Sequence, residues 1–173
     1  MKGSIESVTA RKTEKRSARS AADLVCFSHL SWKGVWQRPQ HLMSRFATER
    51  RVFFIQEPEK AKDSPYLQVE KAPEKDRLYL VTPYVVGTDI EAHAKQQSML
   101  LKRLFAEQDI HQPILWYYTP MALRFSRHLP AGLIVYDMMD DLSAFKNSPQ
   151  GFAALEDELF QAAGLVFTGG GRM

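Results

Sequence analysis

The chain has 173 residues, of which 45% are apolar, 11% aromatic and 25% charged, with one cysteine and a formal net charge of +3. That length suits one domain, and a chain this long buries roughly two-thirds of its surface on folding. No run approaches the ~20 continuous apolar residues of a membrane helix, and a lone thiol excludes an intramolecular disulfide or a cysteine-cluster zinc site.

The charge is unevenly spread. Residues 1–22 hold Lys2, Arg11, Lys12, Lys15, Arg16 and Arg19 against Glu6 and Glu14, so six basic less two acidic groups give +4, and the other 151 residues sum to −1. The basic balance therefore belongs to a tail and argues against a nucleic-acid surface on the folded body. The tail is poor in large apolar side chains (Met1, Ile5 and Val8 in 22 residues) and is expected to be disordered. It has no apolar centre of a secretory signal, and its glutamates count against a transit peptide. A basic arm of this kind can touch anionic lipid.

From Asp23 the pattern changes. Asp23 to Leu30 is a short apolar run that predicts a buried strand. A loop of Ser31-Trp32-Lys33-Gly34-Val35-Trp36 follows, then a helix over Gln37 to Thr48 with Leu42, Met43 and Phe46 on one face and Pro39 in its first turn. Arg51 to Glu57 predicts a second strand. A polar, proline-bearing stretch then carries a weak strand near Leu67 to Ala72, and Leu78 to Val86 predicts another, broken late by Pro83.

Ile90 to Gln108 predicts a helix, with Met99, Leu100, Leu101, Leu104 and Phe105 at helical spacing. Pro113 to Thr119 predicts a strand, Pro120 to Leu129 a short helix, and Leu133 to Met139 a strand entering an acidic turn. Ser148 and Pro149 suit the cap and first position of a helix with Phe152, Leu155, Leu159 and Phe160 inward. Leu165 to Thr168 predicts a last strand before Gly169, Gly170 and Gly171.

Apolar strands alternating with amphipathic helices predict an α/β domain, a doubly wound parallel sheet with both faces covered. Ligands bind such sheets beyond the carboxyl ends of the strands. That rule selects His29 to His41, Gln56-Glu57, Trp116 to Met121, and Asp137 to Asp141. Asp137, Asp140 and Asp141 follow a buried strand, where a partly desolvated carboxylate can act as a general base toward a hydroxyl. Alternatively, Asp140 or Asp141 caps the short helix implied by Leu142 to Phe145. A third reading, in which these acids and His29 hold a metal ion, is not adopted, and no metal is assigned.

The first loop is dense in donors and rings: His29, Trp32, Lys33, Trp36, Gln37, Arg38 and His41. Rings stack on sugar faces, and Arg beside helix N-terminal amides suits phosphate. Equally, Trp32 and Trp36 can pack the loop onto the sheet while Arg38 and His41 are solvated. Trp116, Tyr117 and Tyr118 suit the core better than a stacking platform. No G-x-G-x-x-G follows the first strand, and neither G-x-x-x-x-G-K-[ST] nor G-x-S-x-G occurs. Dinucleotide, P-loop and α/β-hydrolase readings thus lack their motifs.

The runs LVCFSHLSWKGVWQRPQHLMSRFA, RRVFFIQEP, ILWYYTPMAL, VYDMMDDLSAFK and ELFQAAGLVFTGG resemble the N-terminal half of bacterial GT-B-fold glycosyltransferases of the family 1 or group 1 type. They are similar to teichuronic-acid-type transferases and to those associated with UDP-galactopyranose mutase. The resemblance covers about residues 23–170, and W-Q-R-P-Q-H and Y-D-x-M-D-[DE]-L-S-A-F are its most specific strings.

The resemblance implies a Rossmann-like acceptor-side domain over residues 23–173. It also implies a second, donor-binding domain that this sequence lacks, so the chain is expected to be a truncated half or to work with a partner chain. The donor would be a UDP- or GDP-sugar, with no bound cofactor. The acceptor would be a sugar or lipid-linked glycan in polysaccharide or cell-envelope synthesis, at the cytoplasmic face of the membrane. Asp140 or Asp141 would be the base and Asp137 its orienting neighbour. His29, Trp32, Trp36, Gln37, Arg38, His41, Tyr118, Gly169 and Gly170 would line the cleft. A non-catalytic carbohydrate- or nucleotide-binding module is the competing expectation.

Overall fold

The structure, a computed structural model, describes residues 21–139 and 151–169. The expectations for residues 1–20, Asp140, Asp141, Leu142 to Phe145, Ser148, Pro149 and Gly170 fall outside them.

The described chain runs β1 (Leu24–Phe27), α1 (Arg38–Phe46), β2 (Val52–Ile55), β3 (Glu59–Lys60), β4 (Tyr66–Lys71), β5 (Leu78–Val85), α2 (Ile90–Glu107) and β6 (Ile114–Tyr117). A 3-10 turn (Pro120–Ala122), α3 (Leu123–Ser126), β7 (Leu133–Met138), α4 (Phe152–Ala162) and β8 (Leu165–Thr168) complete it. The eight strands form one sheet in the order β3-β5-β2-β1-β6-β7-β8, with β4 also on β5. Every pair is parallel except β4 with β5. The expected doubly wound α/β architecture is therefore present, with an antiparallel strand added at one side.

The central strands LVCF and VFFI are buried at every position, as two-sided cover of a parallel sheet requires. Successive side chains point to opposite faces and so feed two cores. Leu24, Cys26, Val52, Phe54, Trp116 and Val135 pack with Trp32 and Met43 on the α1 side. Val25, Phe27, Phe53, Leu115 and Tyr117 pack on the other side with Leu101 and Leu104 of α2 and with Leu155 and Leu159 of α4.

The departures have local causes. Pro83 does not break β5. The carbonyls of Val81 and Val85 accept from Gln56 and Ala61 on one side, so Pro83 between them faces that side too. There β2 has ended at Ile55 and β3 begins only at Glu59, and a missing N–H costs no ladder bond. β4 lies antiparallel because only a short turn separates it from β5, closed by Ala72 N to Leu78 O and Lys75 N to Ala72 O. The helix expected from Pro120 is a 3-10 turn followed by one turn of α-helix, where Ser126 Oγ donates to Ala122 O at 2.7 Å. Phe160, expected inward, is 40% exposed and meets Tyr136 edge-on; Met99 is also exposed. Helix α4 begins at Phe152, with Gly151 at its cap in the left-handed region (φ +79°).

Candidate functional site

The strand order reverses between β1 and β6. From β1 the chain steps outward through β2 to β5, then returns to β6 and steps the other way to β8. A crevice opens at such a switch point, beyond the carboxyl ends of the strands. Among the described residues, the turns that follow β1, β2 and β6 supply its rim.

Two cavities open there, and Gln56, Glu57 and Pro58 line both. On the α2 side, a cavity of about 250 Å³ lies over Phe27, Ser28 and Ile55, between the first two turns of α2 (Ile90, His93, Ala94, Gln97) and the segment Thr119 to Phe125. On the α1 side, one of about 280 Å³ is more polar. Glu57, Glu59, Glu70, Gln68, Thr82 and Tyr84 face His29, Ser31 and Lys33 across it. Burial of the Glu57 carboxyl raises its pKa above the ordinary value, because the charged form loses hydration. A more open cavity of about 810 Å³ lies at the amino ends, among Asp23, Arg51, Arg77, Asp109 and His111. Arg51 there is already held by both oxygens of Asp23, at 2.8 and 2.6 Å.

The β1–α1 loop explains its own residues. Gln40, wholly buried, accepts from Gln37 N at 3.0 Å through Oε1 and donates to Ser31 O at 3.0 Å through Nε2. One side chain thus ties the helix start to the loop, with Gln37 at the cap. Trp32 is buried against Phe54 and donates its backbone N–H to Gln56 Oε1 at 2.8 Å. Trp36 lies edge-on to Trp32 and His41 and is partly exposed, as is His41. Trp32 thus packs the loop onto the sheet, whereas Trp36 is 40% exposed.

Arg38, at the first position of α1, reaches across the sheet end to Asp137 on β7, with Nη1 to Oδ1 at 2.6 Å. The Asp137 side chain is 2% exposed and that of Arg38 is 41% exposed. The carboxylate is buried while the guanidinium stays partly exposed, a geometry in which Asp137 orients Arg38. Cys26 and Tyr118 neighbour Asp137, and burial, reinforced by that carboxylate, pushes both of their pKa values up. Tyr118 is buried. Gly169 permits a close backbone approach: a Cβ there would stand 2.7 Å from Met139 O.

His29, Trp32, Trp36, Gln37, Arg38, His41, Asp137 and Tyr118 are thus gathered around the carboxyl ends on the α1 side. The α2-side cavity also draws on Thr119, within the expected Trp116 to Met121, and on Gln97 and Arg124, which the sequence did not single out. Gln97 carried a readable signal. It sits in the stripe Ala94, Gln97, Leu101, Leu104 that α2 buries, and a glutamine in an apolar stripe is an anomaly. Among the described residues, no group of three or more His, Cys, Asp or Glu is placed to hold a metal ion. Among the same residues, no helix is long and apolar enough to cross a membrane.

No protein-family model matches the sequence, and a comparison with curated proteins finds no match. Solved structures do match. The chain is similar to a trehalose-6-phosphate synthase from E. coli bound with UDP-2-fluoro glucose, at 12% identity and a TM-score of 0.50, over 84% of this chain and 39% of that one. It is equally similar to an α,α-trehalose-phosphate synthase (UDP-forming) from Burkholderia xenovorans in complex with glucose-6-phosphate, at 9% identity and a TM-score of 0.50, over 84% of this chain and 40% of that one. Both are GT-B glycosyltransferases. The described domain therefore shares a Rossmann-type α/β fold with these neighbours, and the chain spans about two-fifths of their length.

Proposed function

We propose that the chain is the acceptor-side domain of a glycosyltransferase that moves a sugar from a UDP- or GDP-sugar to a hydroxyl acceptor. A second domain, or a partner chain, completes the cleft and holds most of the donor. The setting is bacterial polysaccharide or cell-envelope glycan synthesis at the cytoplasmic face of the membrane, with the basic residues 1–22 near anionic lipid. The observation that carries this reading is the Arg38–Asp137 pair at the β1/β6 crevice of a GT-B-like fold. A guanidinium held by a buried carboxylate, on a side chain that is 41% exposed, suits an incoming diphosphate.

In the reaction, the acceptor oxygen bonds to the anomeric carbon as the bond from that carbon to the diphosphate oxygen breaks. The nucleoside diphosphate departs with the bonding pair, and Arg38 offsets its growing charge. If the transfer inverts the anomeric centre, Asp140 or Asp141 takes the acceptor proton, a part that the resemblance gives them. The role of Asp137 is to position Arg38.

The test is nucleoside diphosphate release from UDP- and GDP-sugars with glycan acceptors, by the purified chain alone and with candidate second-half chains. Turnover that disappears in Asp140→Asn/Asp141→Asn, with folding retained, supports the reading. Undiminished turnover removes both as bases. Acceptor binding without turnover in every pairing supports a non-catalytic binding module instead.

A further inference from the structure

We propose that the tip of the β1–α1 loop and the outer row of α1 form a docking face for an anionic lipid surface, with Val35 and Trp36 entering the headgroup boundary. The inference rests on the membrane setting proposed above, to which it adds the face of the folded domain that meets lipid; it does not rest on sugar transfer. From Leu24 to Thr48 the chain has no Asp or Glu and carries Lys33, Arg38 and Arg45. At the loop tip Val35 is 82% exposed, more than any other large apolar side chain described, and the half-exposed Trp36 lies beside it. Trp36 is braced in that position. Its ring stands edge-on to Trp32 at 5.7 Å and to His41 at 5.4 Å, and Trp32 is itself buried against Phe54.

The contact with His41 joins the loop tip to the helix. Arg38, His41 and Arg45 share one face of α1 and all three are exposed, while Met43 and Ser44 are buried. Arg38 is partly offset by Asp137, but among the described residues neither Lys33 nor Arg45 has an ion-pair partner. Glu57, Glu59 and Glu70 share the α1-side cavity with Lys33, whereas Trp36, His41 and Arg45 lie outside its lining. The chemistry of the patch selects the partner. Tryptophan, apolar with one N–H, concentrates at the membrane–water boundary, and each Lys or Arg near an anionic leaflet strengthens attachment roughly fivefold. A small apolar tip bordered by cations is the pattern of an interfacial anchor. Two apolar side chains are too few for the core of a stable protein interface, which takes about 20–30 residues a side.

The test uses the full 173-residue chain with vesicles of phosphatidylcholine, alone or mixed with phosphatidylglycerol. Trp32 and Trp116 are buried, so a change in tryptophan emission on binding reports Trp36. The chain should sediment with the anionic vesicles, shift its emission to the blue, and be quenched by lipids brominated near the headgroup end of their acyl chains. Val35→Asp, at an exposed position, should leave the melting temperature unchanged and weaken partition at least about fivefold. Lys33→Gln combined with Arg45→Gln should weaken it roughly 25-fold. Residues 1–22 hold no tryptophan and are common to every variant. Sedimentation without quenching would therefore mean attachment through those residues alone and would overturn the proposal. So would partition indifferent to all three substitutions, or an emission shift produced by single-stranded RNA and not by vesicles. Docking without sugar-nucleotide turnover leaves this face standing and removes the transferase reading; turnover without docking does the reverse.

Discussion

Replacing Arg38 by Met isolates the electrostatic feature on which the crevice depends. The substitution keeps most of the aliphatic stem and deletes the guanidinium, leaving a carboxylate whose side chain is 2% exposed without its partner. Removing one member of a buried pair costs about 3–5 kcal/mol. Because Arg38 itself is 41% exposed and water can reach the vacated place, the lower end, about 3 kcal/mol, is expected. For a domain of this size that is a melting temperature lower by roughly 6–12 °C. Asp137→Asn removes the charge and leaves Arg38 free to turn to water, at a cost of about 1 kcal/mol. Urea unfolding of the two single variants and the double variant closes the cycle, with an interaction energy of about 2 kcal/mol expected for groups in direct contact. The double variant should be more stable than Arg38→Met alone. A loss under about 0.5 kcal/mol for Arg38→Met, or strictly additive losses, would refute the claim that Asp137 is anchored by Arg38.

Two further outcomes follow from the packing. Gly132→Ala places a Cβ 2.6 Å from the backbone oxygen of Gln112, whereas Gly164→Ala meets only the end of the Leu133 side chain at 2.8 Å. The first should cost about 1–3 kcal/mol in denaturant unfolding and the second clearly less; equal losses would contradict the geometry. Burial pushes the Tyr117 hydroxyl up to about 12, against an ordinary 10.0. The folded state therefore holds that proton where the unfolded chain has released it. Stability is full below pH 10 and falls as pH rises from 10 toward 12, by about 2–3 kcal/mol from this group. Tyr117→Phe should flatten that alkaline limb, and an unchanged limb would show that Tyr117 does not titrate this way.

The sequence disclosed the parts of the fold that rest on continuous apolar character. LVCF, VFFI, ILWY and LIVYDM are short apolar runs of strand length, as a parallel sheet covered on both faces requires. Less visible were the elements whose residues carry no pattern. Glu59–Lys60 is a two-residue exposed strand, and nothing in a Glu-Lys pair announces pairing. The antiparallel direction of β4 comes from the tight turn at Ala72 to Arg77. Pro83 suggested a break only because the gap between β2 and β3 that accommodates it exists in three dimensions.

The same division holds for the site. The rule of carboxyl ends placed Arg38 and Asp137 at the crevice, but their pairing spans 99 positions in sequence and no local spacing implies it. Gln56 and Glu57 were recognised as crevice residues, while their place on the wall between two cavities depends on how the loops fold over. Gln97 was overlooked because a glutamine on a helix reads as a surface residue. Only its register with Ala94, Leu101 and Leu104 marks it as inward. The tryptophans show the reverse limit: Trp32 and Trp36 suit stacking and packing equally as text, and the structure places Trp32 in the core.

The most direct test of the account is an amide chemical-shift titration of the chain with UDP. A crevice at the carboxyl ends beside Arg38 predicts that the shifts gather on Gln37 to Gln40, Ser28 and Asp137 to Met139, and that Arg38→Met abolishes them. Shifts gathered instead at the amino ends, around Arg51, Arg77 and His111, would contradict it, as would a response that Arg38→Met leaves unchanged.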